Sequence, residues 1–372
     1  MTHFDIALWQ NSLSIHQAPF VKALQDRGLK VLVVAEVGIS AARKSLGWSA
    51  IDYGAAEVVT APGEGELETL LQRVRSSRTA HVFSGIDSYP LVTRARRRVV
   101  DQPHGHIFVA SEPWDPRGAR GLLRAAKYRR RLRQLQRVDT LLCIGGLARA
   151  QFSSVPGLGM RLSDFGYFVE PAPPLPLGPS RRERDDRVKF LFVGSLDSRK
   201  RPDHLLSRLL ELDSPHWTLD VVGNGPLDDD VKRLASPHGD RVRVWGALPH
   251  TQIADQMSRA DALVLPSAHD GWGAVVSEAL GAGTRVVVSD AAGASDLVTE
   301  ERAGTVYDHR VASSLPAALE EAIAAGRQTS HRRADLRAWS DERFSASAGA
   351  AYVLRLLEEP RAAVEAPWRG RP

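Results

Sequence analysis

The sequence runs to 372 residues, 43% of them hydrophobic and 25% charged, which excludes a low-complexity or disordered chain and exceeds what one core usually organises, so two domains are expected. Cys143 is the single cysteine and the net charge is only +5, so this sequence holds no disulfide pair and a reducing compartment is expected. No stretch approaches the roughly 20 apolar residues of a spanning helix, and MTHFDIALWQN lacks the leader of a secretion signal, so the expected location is the cytoplasm.

In chain order, short β-rich apolar runs alternate with helical patterns, the signature of βα units around a parallel sheet. FDIALW, KVLVVA, AEVVT, HVFSG, HIFVAS and TLLCIG are the strand candidates of the first half. APFVKALQDRG between the first two reads as a helix that Gly28 ends. Cys143, inside the last run, reads as core filler rather than a nucleophile. The alternation stops at PAPPLPLGPSRRERDDR, residues 171–187, which reads as a linker. It restarts with VKFLFVGS, WTLDVVG, RVRVWG, DALVLPS, TRVVVSD and GTVYD. After about Thr329 the pattern is helical to Glu359, and RAAVEAPWRGRP reads as a disordered tail. The expected division is therefore 1–170 for a first α/β domain, 188–340 for a second, a helix over 341–360 that crosses back to the first domain, and a tail over 361–372.

Between Arg117 and Arg137 lie eight arginines and Lys127 without an acid. Leu122, Leu123, Ala126, Leu132 and Leu135 recur among them in an amphipathic pattern. A nucleic-acid patch, an anionic membrane surface and a solvated helix face are all candidates for such a stretch.

The segment DALVLPSAHDGWGAVVSEALGAGTRVVVSDAAGASD carries the most chemistry. A strand ends at Ser267, a loop carries Asp270, Gly271, Trp272 and Gly273, and a helix starts near Ala274 with Glu278 one turn inside. Glycines before a helix let backbone N–H groups approach an anion, and the helix dipole favours negative charge there. A carboxylate one turn in can accept paired hydrogen bonds from vicinal hydroxyls. These pieces suit a nucleotide sugar.

With its two acids separated by seven residues around a glycine turn, this segment resembles the retaining GT-B glycosyltransferases of family 4. Three further segments resemble that family in the same order: FVGSLDSRKRPDHLL, LDVVGNGP and RVRVWGALPHTQIADQMSRADALVLPS. The resemblance implies a GT-B fold of two Rossmann-like doubly wound domains facing a central cleft, with the nucleotide sugar held by the second and the acceptor by the first. It implies that Glu278 binds the ribose and Asp270 the donor sugar. Gly194, Ser195, Arg199, Lys200 and Arg201 would lie beside the diphosphate, and Gly246 and Leu248 beside the base. Ser195 stands where the family often has arginine, which leaves Lys200 more of the charge. The family's chemistry further implies retention of configuration, a UDP-sugar as the favoured donor, no required cofactor or metal, and a glycan or lipid-linked acceptor on the inner face of the cell membrane.

The first half is less legible. His16 opens the first helix and is a candidate for the acceptor side, and Trp114, after a strand, could stack on a sugar face or fill the core. Glu112, at the end of the same strand, is taken as a residue of the reaction centre beside Asp270 and Lys200. Asp228, Asp229 and Asp230 read as a helix first turn rather than a metal cluster. Gly223 and Gly225, followed by Pro226, make a poor dinucleotide fingerprint. A nucleotide-sugar epimerase of the same build and a basic nucleic-acid-binding module stand as rival readings, the second disfavoured because no recognised motif accompanies the charge.

Overall fold

The computed structural model describes residues 3–39, 51–135, 137–170, 186–359 and 362–369. It divides into one unit of Met1–Val169 with Ala346–Pro372 and a second of Glu170–Ser345, each with its own wholly parallel sheet.

The first sheet has seven strands: β1 (Ile6–Ser12), β2 (Val31–Val37), β3 (Glu57–Thr60), β4 (Ala80–Ser84), β5 (Ile107–Ser111), β6 (Thr140–Ile144) and β7 (Arg161–Phe165), in the order β3-β2-β1-β4-β5-β6-β7. β2, β5 and β6 are near-continuous runs of apolar side chains, as in sheets covered on both faces, and β1 is apolar through Trp9. Ile6 sits in register with Val31 on one side and Ala80 on the other, so the strand order reverses at β1. Such a reversal opens a crevice at the carboxyl ends of the central strands. The core gathers Trp9, Phe83, Ile107, Leu141 and Phe152. Gly28 has a φ of 80°, three residues past the end of the helix Ala18–Gln25 that it was expected to stop.

Six strands form the second sheet: β8 (Val188–Val193), β9 (Trp217–Val222), β10 (Val242–Gly246), β11 (Ala262–Leu265), β12 (Arg285–Ser289) and β13 (Gly304–Tyr307), in the order β10-β9-β8-β11-β12-β13. Its reversal falls between β8 and β11. Residues 171–185 of the expected linker lie outside the described residues.

The helical C-terminus is two helices, Ser330–Phe344 and Ala346–Glu358, separated by Ser345 in extended conformation (φ −64°, ψ 160°). At that break the chain passes to the first unit, where the Ala346 N–H donates to the Val169 carbonyl (3.0 Å) and the second helix packs on Ala18–Gln25. The expectation of a disordered tail is corrected at Val364, Ala366 and Trp368, all buried. The Trp368 ring lies 6.0 Å from Phe168, and Arg369 Nε reaches Asp164 at 2.7 Å. The apolar side chains of the tail find a place on the first unit, which is why composition misjudged it. Residues 360–361 and 370–372 lie outside the described residues.

Candidate active site

The second unit brings Lys200 and Asp270 together at the reversal point. Lys200 follows β8 in the turn Gly194–Arg201, and Asp270 follows β11. Both are 8% exposed, and the Lys200 ammonium is bonded directly to the Asp270 carboxylate. Arg199 Nη1 stands 3.6 Å from the other carboxylate oxygen, while the Arg199 carbonyl accepts from the Ala268 N–H at 2.8 Å. Asp197 fixes the turn by accepting the backbone N–H groups of Arg199 (3.0 Å) and Lys200 (2.8 Å). An ammonium carries three donors, and one carboxylate contact leaves others for phosphate oxygens. Arg201, at φ 57°, opens the helix Pro202–Leu210, and its charge opposes the burial that pushes the Tyr307 hydroxyl, at the end of β13, up to about 12.

The loop after β11 is stitched to the loop after β12. Asp270 N–H donates to Ala291 O (2.9 Å), Gly293 N–H to Asp270 O (3.1 Å) and Ala294 N–H to Trp272 O (2.8 Å). Gly273, at φ 93°, starts the helix Ala274–Gly281, and no side chain among the described residues caps that end. Glu278 lies four residues beyond Ala274, on the same helix face, and is half-buried. Trp272, expected among the donor contacts, has a ring that is 1% exposed and whose Nε1 donates to Ser277 Oγ at 3.1 Å, so the ring wedges the loop onto the helix.

Neighbouring turns complete this end of the sheet. The Gly194 N–H donates to Val222 O (3.0 Å), Gly223 N–H to Gly246 O (2.8 Å) and Leu196 N–H to Asn224 O (2.9 Å), which ties together the turns carrying Gly194, Ser195, Gly246 and half-buried Leu248. Gly223 and Gly225 serve this packing, since a Cβ at either would overlap the backbone oxygen of Gly194 or Leu196.

In the first unit a cavity of about 140 Å³ opens at the carboxyl ends of β1, β4, β5, β6 and β7. Gln10, bonded to Ser84, lies at one side, and His16, Gln17 and Tyr167 at another, with Phe20, Phe165 and Phe168 as apolar wall. The His16 ring stacks on Tyr167 with centroids 6.5 Å apart, and the Tyr167 hydroxyl donates to Glu112 Oε1 at 2.5 Å. Glu112 and His16 are thereby linked through a tyrosine that the sequence reading did not single out, because the strand before it, β7, went unrecognised. Of the two readings of Trp114, the core one holds. Its ring is 6% exposed against Tyr128 and Phe152, which makes it core.

Cys143 is buried and its thiol is pushed up to about 12, as suits core filler. Asp290, Asp308 and His309 present ligand-type atoms within 4.8 Å of one another, a grouping that the sequence reading missed. Asp308 is occupied by two contacts from Arg310 at 3.0 Å, and Asp290 accepts the His309 N–H at 3.0 Å, so the grouping is closed by its own hydrogen bonds.

This end of the second sheet, with a buried cation and an uncapped helix after a glycine turn, lies inside the one segment that a family model matches. Residues 179–337 match glycosyl transferases group 1. Glycogen synthase of Mycobacterium tuberculosis is 32% identical over 148 residues, 39% of this chain and 36% of the relative, so the chain spans about a third of that relative's length in the match. GDP-mannose-dependent alpha-(1-6)-phosphatidylinositol monomannoside mannosyltransferase of Mycolicibacterium smegmatis is 27% identical over 296 residues, 74% of each chain. Among solved structures, Anabaena HepE in complex with UDP superposes with a TM-score of 0.69 at 15% identity, covering 95% of this chain and all of the other. The lipopolysaccharide outer core galactosyltransferase WaaB gives 0.69 at 16%, covering 96% and 99%. The fold is GT-B, with two Rossmann-like domains, as the sequence resemblance implied.

Proposed function

We propose that the chain is a glycosyltransferase that moves a sugar, with retention, from a nucleotide diphosphate donor held by the second unit to a hydroxyl of a glycan or lipid-linked acceptor held by the first. The observation that carries the reading is the buried Lys200–Asp270 pair beside an uncapped helix start, within the group 1 match. When the glycosidic bond breaks, negative charge grows on the leaving diphosphate, and fixed cations in a low-dielectric site stabilise it best. Lys200 and Arg199 supply that charge, and Asp270, which already orients the ammonium, faces the sugar hydroxyls. Glu278, one turn into the helix, accepts the ribose hydroxyls. UDP is the nucleotide we assign, because the HepE neighbour carries it; the mannosyltransferase relative makes GDP the competing choice. His16, Tyr167 and Glu112 form the acceptor side, with the cavity of the first unit beside them.

Titration calorimetry with UDP-sugars and GDP-sugars tests the donor assignment. Glu278→Ala removes charge-assisted hydrogen bonds worth about 1.5 to 3 kcal/mol each, so donor affinity should fall by roughly ten- to a hundredfold. A folded variant with unchanged affinity would sink the assignment of Glu278. Glu112→Gln should slow transfer and leave donor affinity unaltered; unchanged turnover would remove Glu112 from the reaction centre.

A further inference from the structure

We propose that one face of the first unit, formed by the helices Pro90–Val99 and Gly118–Arg133, docks on a bilayer that contains anionic lipid, with lipid phosphates in a cation-lined groove and Leu122 and Leu123 immersed beside it. The inference is independent of the transfer chemistry and uses none of its residues.

The groove between the two helices has a volume of about 960 Å³. Six cationic side chains line it, and the single acid among its walls, Asp87, is taken by Arg96 at 2.6 Å. Arg94 and Arg98 are held by Glu64 and Glu68. Arg97, Lys127 and Arg130 are exposed and have no acidic partner among the described residues. Concentrating unpaired like charges in a groove is unfavourable unless an anion completes it.

The second observation is apolar. Leu122 and Leu123 are 77% and 73% exposed, more than any other large hydrophobic side chain among the described residues. Helical spacing sets Leu123 on the same face as Lys127 and Arg130, one turn towards the helix start. The amphipathic stripe expected from sequence is thus divided, because Leu132 and Leu135 belong to the core while Leu122, Leu123 and Ala126 face solvent. A phosphodiester strand would satisfy the cations and gain nothing from the leucines. A bilayer interface satisfies both, and stable attachment generally needs both an apolar and an electrostatic signal.

The test is co-sedimentation of the full chain with vesicles of phosphatidylcholine alone and of phosphatidylcholine mixed with phosphatidylglycerol, over a salt series. The chain should partition onto the anionic vesicles only, and salt should release it. Arg97→Ala/Lys127→Ala/Arg130→Ala should lower partitioning on the order of a hundredfold. Leu122→Ser/Leu123→Ser should lower it roughly tenfold or more and make the remainder more easily released by salt. All five side chains are exposed, so both variants should melt as the parent does. Equal recovery on neutral and anionic vesicles, full binding by the triple variant, or salt-sensitive binding to duplex DNA with no vesicle binding would each overturn the proposal. UDP binding, measured on the same variants, should be unaffected; its loss in the parent would count against the transfer reading alone, since the vesicle result does not depend on it.

Discussion

His81 shows how a single buried ring can set the acid limb of stability. It lies in β4 against both Trp9 and Phe83, with Nδ1 accepting from Trp9 Nε1 at 3.2 Å and Nε2 without a partner among the described residues. Burial first, and the charge of His104 second, lowers its titration to about 3, from an ordinary value of 6.5. The folded state therefore keeps the ring neutral while the unfolded chain takes up a proton below about pH 6.5. Its contribution is complete above that pH and is lost progressively as pH falls towards 3. His81→Phe should cost about 1 to 3 kcal/mol at neutral pH, by leaving the Trp9 N–H without an acceptor. The same change should flatten the acid limb, so that urea titrations of the two proteins converge as pH falls towards about 4. Parallel pH profiles would show that His81 is not the titrating group. Lys200 and Asp270 present the opposite economy of charge: each is buried because the other is, and a donor phosphate would meet an ammonium already held in place.

Among the elements, the turns at the ends of β8 and β9 are packed backbone on backbone. Gly223, at φ 141°, lies against the Gly194 carbonyl. Gly223→Ala should push the two turns apart, costing on the order of 1 to 3 kcal/mol or more, and should weaken nucleotide binding because Gly194 and Lys200 belong to the displaced turn. Thermal melting and donor titration on one preparation check both effects; a variant that melts like the parent would show that the turns can slide. These turns, and the strands they follow, were legible in the sequence because a strand buried on both faces must be an apolar run, and a turn that crowds another backbone must be glycine. β7 was not legible. Its residues Arg161, Ser163 and Asp164 are polar; it is a strand through its ladder with β6, and the C-terminal segment covers it: the Arg161 guanidinium donates to the carbonyls of Leu356, Glu359 and Ala362, and Tyr352 Oη donates to Asp164 O. Tyr167, just beyond, was missed with it. The places of the Trp114 and Trp272 rings were not legible for a related reason, since a tryptophan beside loop residues reads alike whether its ring faces a ligand or the core.

For the molecule as a whole, two separate cores predict two calorimetric transitions, the first carried by Trp9, Phe83 and Phe152 and the second by Phe190, Phe192 and Trp217. UDP-sugar at about a hundred times its dissociation constant should stabilise the second unit alone by about 2.7 kcal/mol. Equal shifts in both transitions would contradict the placement of the donor in one unit. The order of amino acids determined the α/β alternation, the parallel sheets and the pairing of Asp270 with Glu278 on a strand–turn–helix, because these rest on neighbours in the chain and on the demand that apolar runs be buried. Distance in the chain hid the rest: Gln10 beside Ser84, Tyr167 beside Glu112 and Trp368 against Phe168 are contacts between residues that local pattern never compares. Those pairings came from packing, where each buried polar group must find a partner wherever the folded chain supplies one.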